Sequence, residues 1–153
     1  MMKQKLLFLV ILFLGMMVYG QQASKITEIL EAPQLTKGQA AYIVASWLDS
    51  ANETLDYNQA TQVVVSQGLL KEGSNATDAI RLDELSGLCM KAWEIPGGLL
   101  YMVSKSNRYA FRELKAHGYL SANDYPSFFV TGFRGLNIMY ACMEYNNSVL
   151  PTE

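Results

Sequence analysis

A segment that recurs at matched spacing constrains the fold of this chain more than any other feature. Leu35-Thr36-Lys37-Gly38-Gln39-Ala40 opens one apolar-periodic stretch, Ile80-Arg81-Leu82-Asp83-Glu84-Leu85 a second, and Val130-Thr131-Gly132-Phe133-Arg134-Gly135 a third. Between them Gln67-Gly68-Leu69-Leu70 is echoed by His117-Gly118-Tyr119-Leu120, and each glycine stands twelve residues before the next opening. After the first opening, Ala40, Ile43, Val44, Trp47 and Leu48 fall at i, i+3, i+4, i+7 and i+8, which lays an apolar stripe along a helix. Leu85, Leu88, Cys89, Ala92 and Trp93 repeat that stripe, and so do Gly135, Ile138, Met139, Cys142 and Met143.

Thr36 is placed to cap the first of these helices, and Gln39 three positions on completes a capping box. Partner helices are expected over Asn58 to Gln67, with Ala60, Val63 and Val64, and over Arg108 to His117, with Ala110 and Leu114. Gly68 and Gly118 can each supply the left-handed residue that closes a helix. Val63-Val64-Val65 taken alone also reads as a strand, but its counterpart Glu113-Leu114-Lys115 is a good helix former and decides for helix. The polar stretches 73–78 and 121–127 are equivalent connectors. Pro96-Gly97-Gly98 breaks the chain, and Leu99 to Val103 reads as either a helical turn or an edge strand. The expected fold is all-α: helix–loop–helix repeats, two complete and one half, packed as a single bundle.

At the N-terminus, Lys3 and Lys5 precede the apolar run Leu6 to Leu14, and Val18-Tyr19-Gly20 offers small residues where a signal peptidase cleaves, before Gln21. That run falls short of the roughly 20 residues a membrane span needs. The expected organisation is a signal peptide at 1–20, a mobile N-terminal segment at 21–34, a repeat domain at 35–146 and a tail at 147–153. Within the N-terminal segment a short helix around Ile26 to Leu30 is ended by Pro33, because proline pushes the preceding residue out of the helical region. The expected location is outside the cytoplasm, in the periplasm or at the cell surface, with no membrane insertion once the leader is gone. The formal net charge is −2, and two of the lysines leave with the leader, so the chain as a whole has no basic excess of the kind nucleic acid or an anionic membrane requires.

Little in the chain points to chemistry. Cys89 and Cys142 are the only cysteines; export permits a disulfide between them, and their places on apolar stripes suit buried thiols equally. No CxxC is present and the single histidine, His117, has no metal-ligand partner nearby in sequence, so no metal and no cofactor are expected. His117 suits the last turn of a helix, and Asp83 with Glu84 suits a helix N-terminus. No nucleophile elbow, phosphate loop or calcium loop is visible, which points away from an enzyme. Arg108 and Arg112, four apart with Tyr109 between them, can hold a carboxylate, phosphate or sugar, or form a solvated face. Trp47 and Trp93 fall on the apolar stripes and are expected in the core rather than stacked on a sugar.

The apolar-Thr-basic opening, alternating with an Ala-containing helix that ends in glycine and an apolar residue, resembles the S-layer homology (SLH) domain. Arg81-Leu82-Asp83-Glu84-Leu85, Gly97-Gly98-Leu99-Leu100-Tyr101 and Arg108-Tyr109-Ala110-Phe111-Arg112-Glu113-Leu114 also look like the small exported spirochaete envelope proteins that carry diverged copies of such units. The resemblance covers roughly Leu35 to Tyr145. It implies an SLH-like helical bundle of three units that anchors proteins to cell-wall polysaccharide through a Thr-Arg-Ala-Glu type segment. Thr36-Lys37 comes nearest to that segment, and Arg81 stands at the threonine position of the second opening. The expected function is a non-enzymatic envelope module for binding or scaffolding, with Thr36, Lys37, Arg81, Arg108, Tyr109 and Arg112 as ligand contacts. The alternative is an accessory subunit that docks another envelope or periplasmic protein through an apolar surface around Leu99 to Val103.

Overall fold

The structure, a computed structural model, describes residues 23–48 and 55–149, with side chains to residue 145. The expected leader at 1–20 and the end of the expected tail, 150–153, lie outside the described residues. The regular elements among the described residues are all helices: α1 (residues 23–31), α2 (Lys37–Leu48), α3 (Tyr57–Ser66), α4 (Leu82–Ala92), α5 (Leu99–Ser104), α6 (Asn107–Ala116) and α7 (Gly132–Val149). Among them no strand forms. Strand-like pairing among them is limited to two isolated antiparallel bridges, Thr36 with Ala79 and Arg81 with Phe129.

Each opening turns into a helix where the spacing places it. The Gln39 N–H donates to the Thr36 hydroxyl (3.1 Å) while the Thr36 N–H donates to the Gln39 side chain (3.0 Å), the capping box expected for α2. At the second opening the Arg81 N–H donates to the Glu84 carboxylate (3.1 Å), and at the third the Arg134 N–H donates to the Thr131 hydroxyl (3.4 Å). The openings meet at one junction. There the Leu35 N–H donates to Val130 O (2.7 Å) and the Ile80 N–H to Leu35 O (2.9 Å), and all three side chains are buried.

α2 packs on α3 and α4 on α6, so the two complete units are helix pairs. They also bond alike at positions fifty residues apart. The N–H groups of Leu69 and Tyr119 donate to Val64 O and Leu114 O (3.0 Å each), and those of Asp78 and Phe128 to Asn75 O and Tyr125 O (3.2 and 3.1 Å). Gly68 and Gly118 adopt left-handed φ of 71° and 81°, where a side chain would be strained. Val63-Val64-Val65 is helical, as its counterpart required. Each connector then offers carbonyls to the preceding opening. Lys37 and Gly38 donate to Asp78 O and Ala76 O (2.8 and 2.9 Å), and Leu82 and Asp83 to Phe128 O and Pro126 O (2.8 and 3.0 Å). First-turn amides, which no helix can satisfy internally, are thereby paired.

The third opening has no following connector, and α1 takes its place. The Gly132 N–H donates to Ala32 O (2.9 Å), and Gly132 lies so close to Ile29 O that no Cβ fits there. Ile29 is fully buried in the core. From the same helix the Lys25 ammonium donates to Leu55 O (2.6 Å) and sits 4.6 Å from the centre of the Tyr42 ring. Burial, with the Glu28 carboxylate beside it, pushes the Tyr57 phenol up to about 12. The helix around Ile26 to Leu30 is therefore present, and it packs against the body of the chain. It closes a ring of three units, and the packed body begins well before residue 35.

Ile29, Leu35, Ile80, Leu85, Leu88, Leu114 and Met139 fill the centre of the core. Cys89 and Cys142 are free thiols there, fully buried; burial and the neighbouring Cys142 push the Cys89 thiol well above its ordinary value. Trp93 is in the core as expected, whereas Trp47 is 39% exposed. Its repeat positions in the other units hold Ala92 and Cys142, both buried, and an indole is too large for such a slot.

Asp124 ties the second connector to α7. Its carboxylate accepts the Ser121 N–H (2.7 Å) and the Arg134 guanidinium, and the Lys115 ammonium donates to Asp124 O (3.1 Å). Burial raises this carboxyl, but the bonds from Arg134 and Ser121 and the charges of Arg134 and Lys115 outweigh it, so its pKa lies below the ordinary value. A lowered carboxyl stabilises the fold above the unfolded value of about 4 and loses that contribution as pH falls through the folded value. Asp124→Ala is expected to cost about 2 kcal/mol at pH 7. In thermal melts from pH 7 to pH 3, the gap between wild type and variant should narrow below pH 4; a constant gap would refute the assignment.

Candidate functional site

Of the residues read as ligand contacts, Thr36 and Lys37 are engaged inside the fold. The Thr36 hydroxyl is taken by its cap, and the Lys37 ammonium lies 3.0 Å from Glu84 and 3.9 Å from Asp78, largely screened from water. Lys37 thus pins the first opening to the second. Arg81 joins the same network from outside: Nε and Nη2 each donate to Asp83 at 3.1 Å, and Glu84 lies 3.9 Å away. The Arg81 side chain is about half exposed, which leaves its outer N–H groups in water.

Arg108, Tyr109 and Arg112 lie on α6. Arg108 and Arg112 are exposed and make no ion pair among the described residues; the Arg112 guanidinium sits 5.9 Å from the centre of the Tyr109 ring. The structure brings Lys37 and Arg81 together through Glu84 but does not bring the α6 arginines to them. His117 is exposed and lies against the rings of Tyr119 (6.0 Å) and Tyr145 (5.7 Å). Among the described residues no three His, Cys, Asp or Glu side chains converge as a metal ion would need.

A further group becomes visible when the two connectors are superposed. Where the first carries Asn75, Asp78 and Ala79, the second carries Tyr125, Phe128 and Phe129; Phe133 stands in the third opening at the position of Asp83. These four aromatics are between 46% and 62% exposed. The rings of Tyr125 and Phe128 pack edge to face with centres 5.2 Å apart. The bridge between Arg81 and Phe129 places those residues opposite one another, so their side chains leave on the same face. In the first unit the equivalent pair is Thr36 with Ala79. Backbone bonding repeats here while surface chemistry changes, which separates what the fold needs from what it presents. Each of these side chains, about half exposed, forgoes roughly 1 kcal/mol of the burial open to it.

On the far side of the second unit a cleft of about 590 Å³ runs between Gly68–Leu69 and α5, floored by Met90, Ile95 and Tyr101 and edged by Lys91 and Lys105. α5 resolves the Leu99–Val103 ambiguity as helix. Comparison of the chain with protein-family models, with curated proteins and with solved structures finds no match.

Proposed function

We propose that this chain is a non-catalytic, exported envelope module that holds a cell-wall polysaccharide against the aromatic surface of its second connector, with Arg81 at its edge. The reading rests on the replacement of Asn75, Asp78 and Ala79 by Tyr125, Phe128 and Phe129 on an otherwise repeated backbone. Sugar rings present apolar C–H faces that stack on aromatic planes, and the forked N–H groups of arginine suit the carboxylate of an acidic sugar. The likeness of the openings to SLH units agrees with this ligand class, although the contact surface lies beside the Thr36-Lys37 segment rather than on it.

Co-sedimentation of the chain from residue 21 onward with purified bacterial cell wall tests the reading. The protein is expected to pellet with the wall, and Arg81→Ala to weaken retention by about tenfold, the equivalent of one charge-assisted bond. A protein that stays in the supernatant, or an Arg81→Ala variant retained as well as wild type, would sink the polysaccharide reading.

A further inference from the structure

The second unit is five residues longer than the first between its paired helices. Openings one and two lie forty-five residues apart and openings two and three fifty apart; the five extra residues fall between α4 and α6, where α5 forms. Its six residues are set off by Glu94 and Lys105, both non-glycine residues at φ 49°, a conformation that costs energy and persists only where the surroundings enforce it. Tyr101 alone turns into the core. The other large side chains point outward: Leu99 is 75% exposed, Leu100 54%, Met102 62% and Val103 80%.

Cations flank this apolar tip. Lys105 caps α5 with its ammonium 5.1 Å from the centre of the Tyr101 ring, and Arg108 and Arg112 follow one helical turn apart on α6, which packs against α5. None of the three forms an ion pair among the described residues. Two carboxylates lie close by, Glu113 against Gly98 and Glu94 at the rim of the cleft, so the local balance is positive in a chain of net charge −2. From this we infer that α5 is an interfacial anchor: Leu99, Leu100, Met102 and Val103 enter the outer part of an anionic phospholipid bilayer while Lys105, Arg108 and Arg112 meet its headgroups. Four exposed apolar side chains on one short helix, with a cation at its end and two more on the helix packed against it, suit a negatively charged apolar interface. Such an anchor lies on the membrane; no helix among the described residues is long and apolar enough to cross one.

Vesicle co-sedimentation tests this with the chain from residue 21 onward, which keeps the whole packed body and removes the apolar leader. Phosphatidylglycerol-containing vesicles are expected to bind the protein, and pure phosphatidylcholine vesicles to bind it at least tenfold more weakly. Leu99→Ser with Val103→Ser should lower partitioning to both lipids at least tenfold. Arg108→Ala with Arg112→Ala should lower it only on the anionic vesicles. All four residues are exposed, so melting temperatures should stay within a degree or two of wild type. Absence of binding to anionic vesicles, or equal binding by the serine variant, overturns the inference. So does a concentration-dependent dimer that the serine variant dissolves in the absence of lipid, because the face would then belong to a second copy of the chain. Wall retention depends on Arg81 and the connector aromatics, so it can fail or succeed independently of this result.

Discussion

A chain that begins at Pro33 is expected to lose most of its cooperative melting transition. Removing α1 exposes the space filled by Ile29, a loss on the order of 2–3 kcal/mol for a fully buried aliphatic side chain. It also removes Ala32 O, the acceptor of the Gly132 N–H, and the Lys25 ammonium that bonds Leu55 O and faces the Tyr42 ring. Each of those contributes about 1 kcal/mol. The sum, on the order of 4–5 kcal/mol, rivals the whole stability of a small domain. Gly132→Ala attacks the same closure with one methyl group. Its Cβ would collide with the backbone oxygen of Ile29, which cannot rotate away, so α1 and α7 must separate at a cost of about 3 kcal/mol. Calorimetric melts of both variants check this. A chain from Pro33 that melts like the one from residue 21 would show that α1 does not close the ring.

Phe128→Ala combined with Phe129→Ala is expected to abolish measurable retention on cell wall while leaving the fold intact. Both side chains are about half exposed, so truncating them forms no cavity, and the connector is held by Phe128 O and Pro126 O rather than by the rings. An aromatic anchor at a binding surface typically contributes about 2 kcal/mol, so losing both should weaken binding by several hundredfold or more. The control is the matched pair in the first connector: Asp78→Ala should leave retention unchanged, although it removes the weaker partner of Lys37. Loss of binding with a lowered melting temperature would mean instead that the aromatics serve packing.

The repeated units were legible because the stripes and the glycine stops are local signals at constant spacing. The helices begin one residue after Thr36, Arg81 and Thr131, and Gly68 and Gly118 both take left-handed φ. The helix around Ile26 to Leu30 was legible, but its role as the third opening's partner was not. α1 joins its opening through a few residues around Pro33 instead of a twelve-residue connector, and it serves the last opening rather than the next one, a pairing made across the whole chain. Leu99 to Val103 is too short to reveal a period; in the fold it is helical and packs against α6. Lys37 looked like a ligand contact because sequence cannot reveal that Glu84, forty-seven residues later, lies 3.0 Å from its ammonium. The aromatic surface did leave a signal. Superposing the connectors, rather than the openings alone, sets Tyr125, Phe128 and Phe129 against Asn75, Asp78 and Ala79.

The central claim, that departures from the repeat mark the ligand surface, is tested most directly by amide chemical-shift mapping. The isotope-labelled chain from residue 21 onward is titrated with soluble fragments of cell-wall polysaccharide. The expected result is a saturable set of shifts at Arg81, Tyr125, Phe128, Phe129 and Phe133, with Asn75, Asp78 and Ala79 unmoved. Shifts confined to α5 and α6, or equal shifts in both connectors, would contradict it.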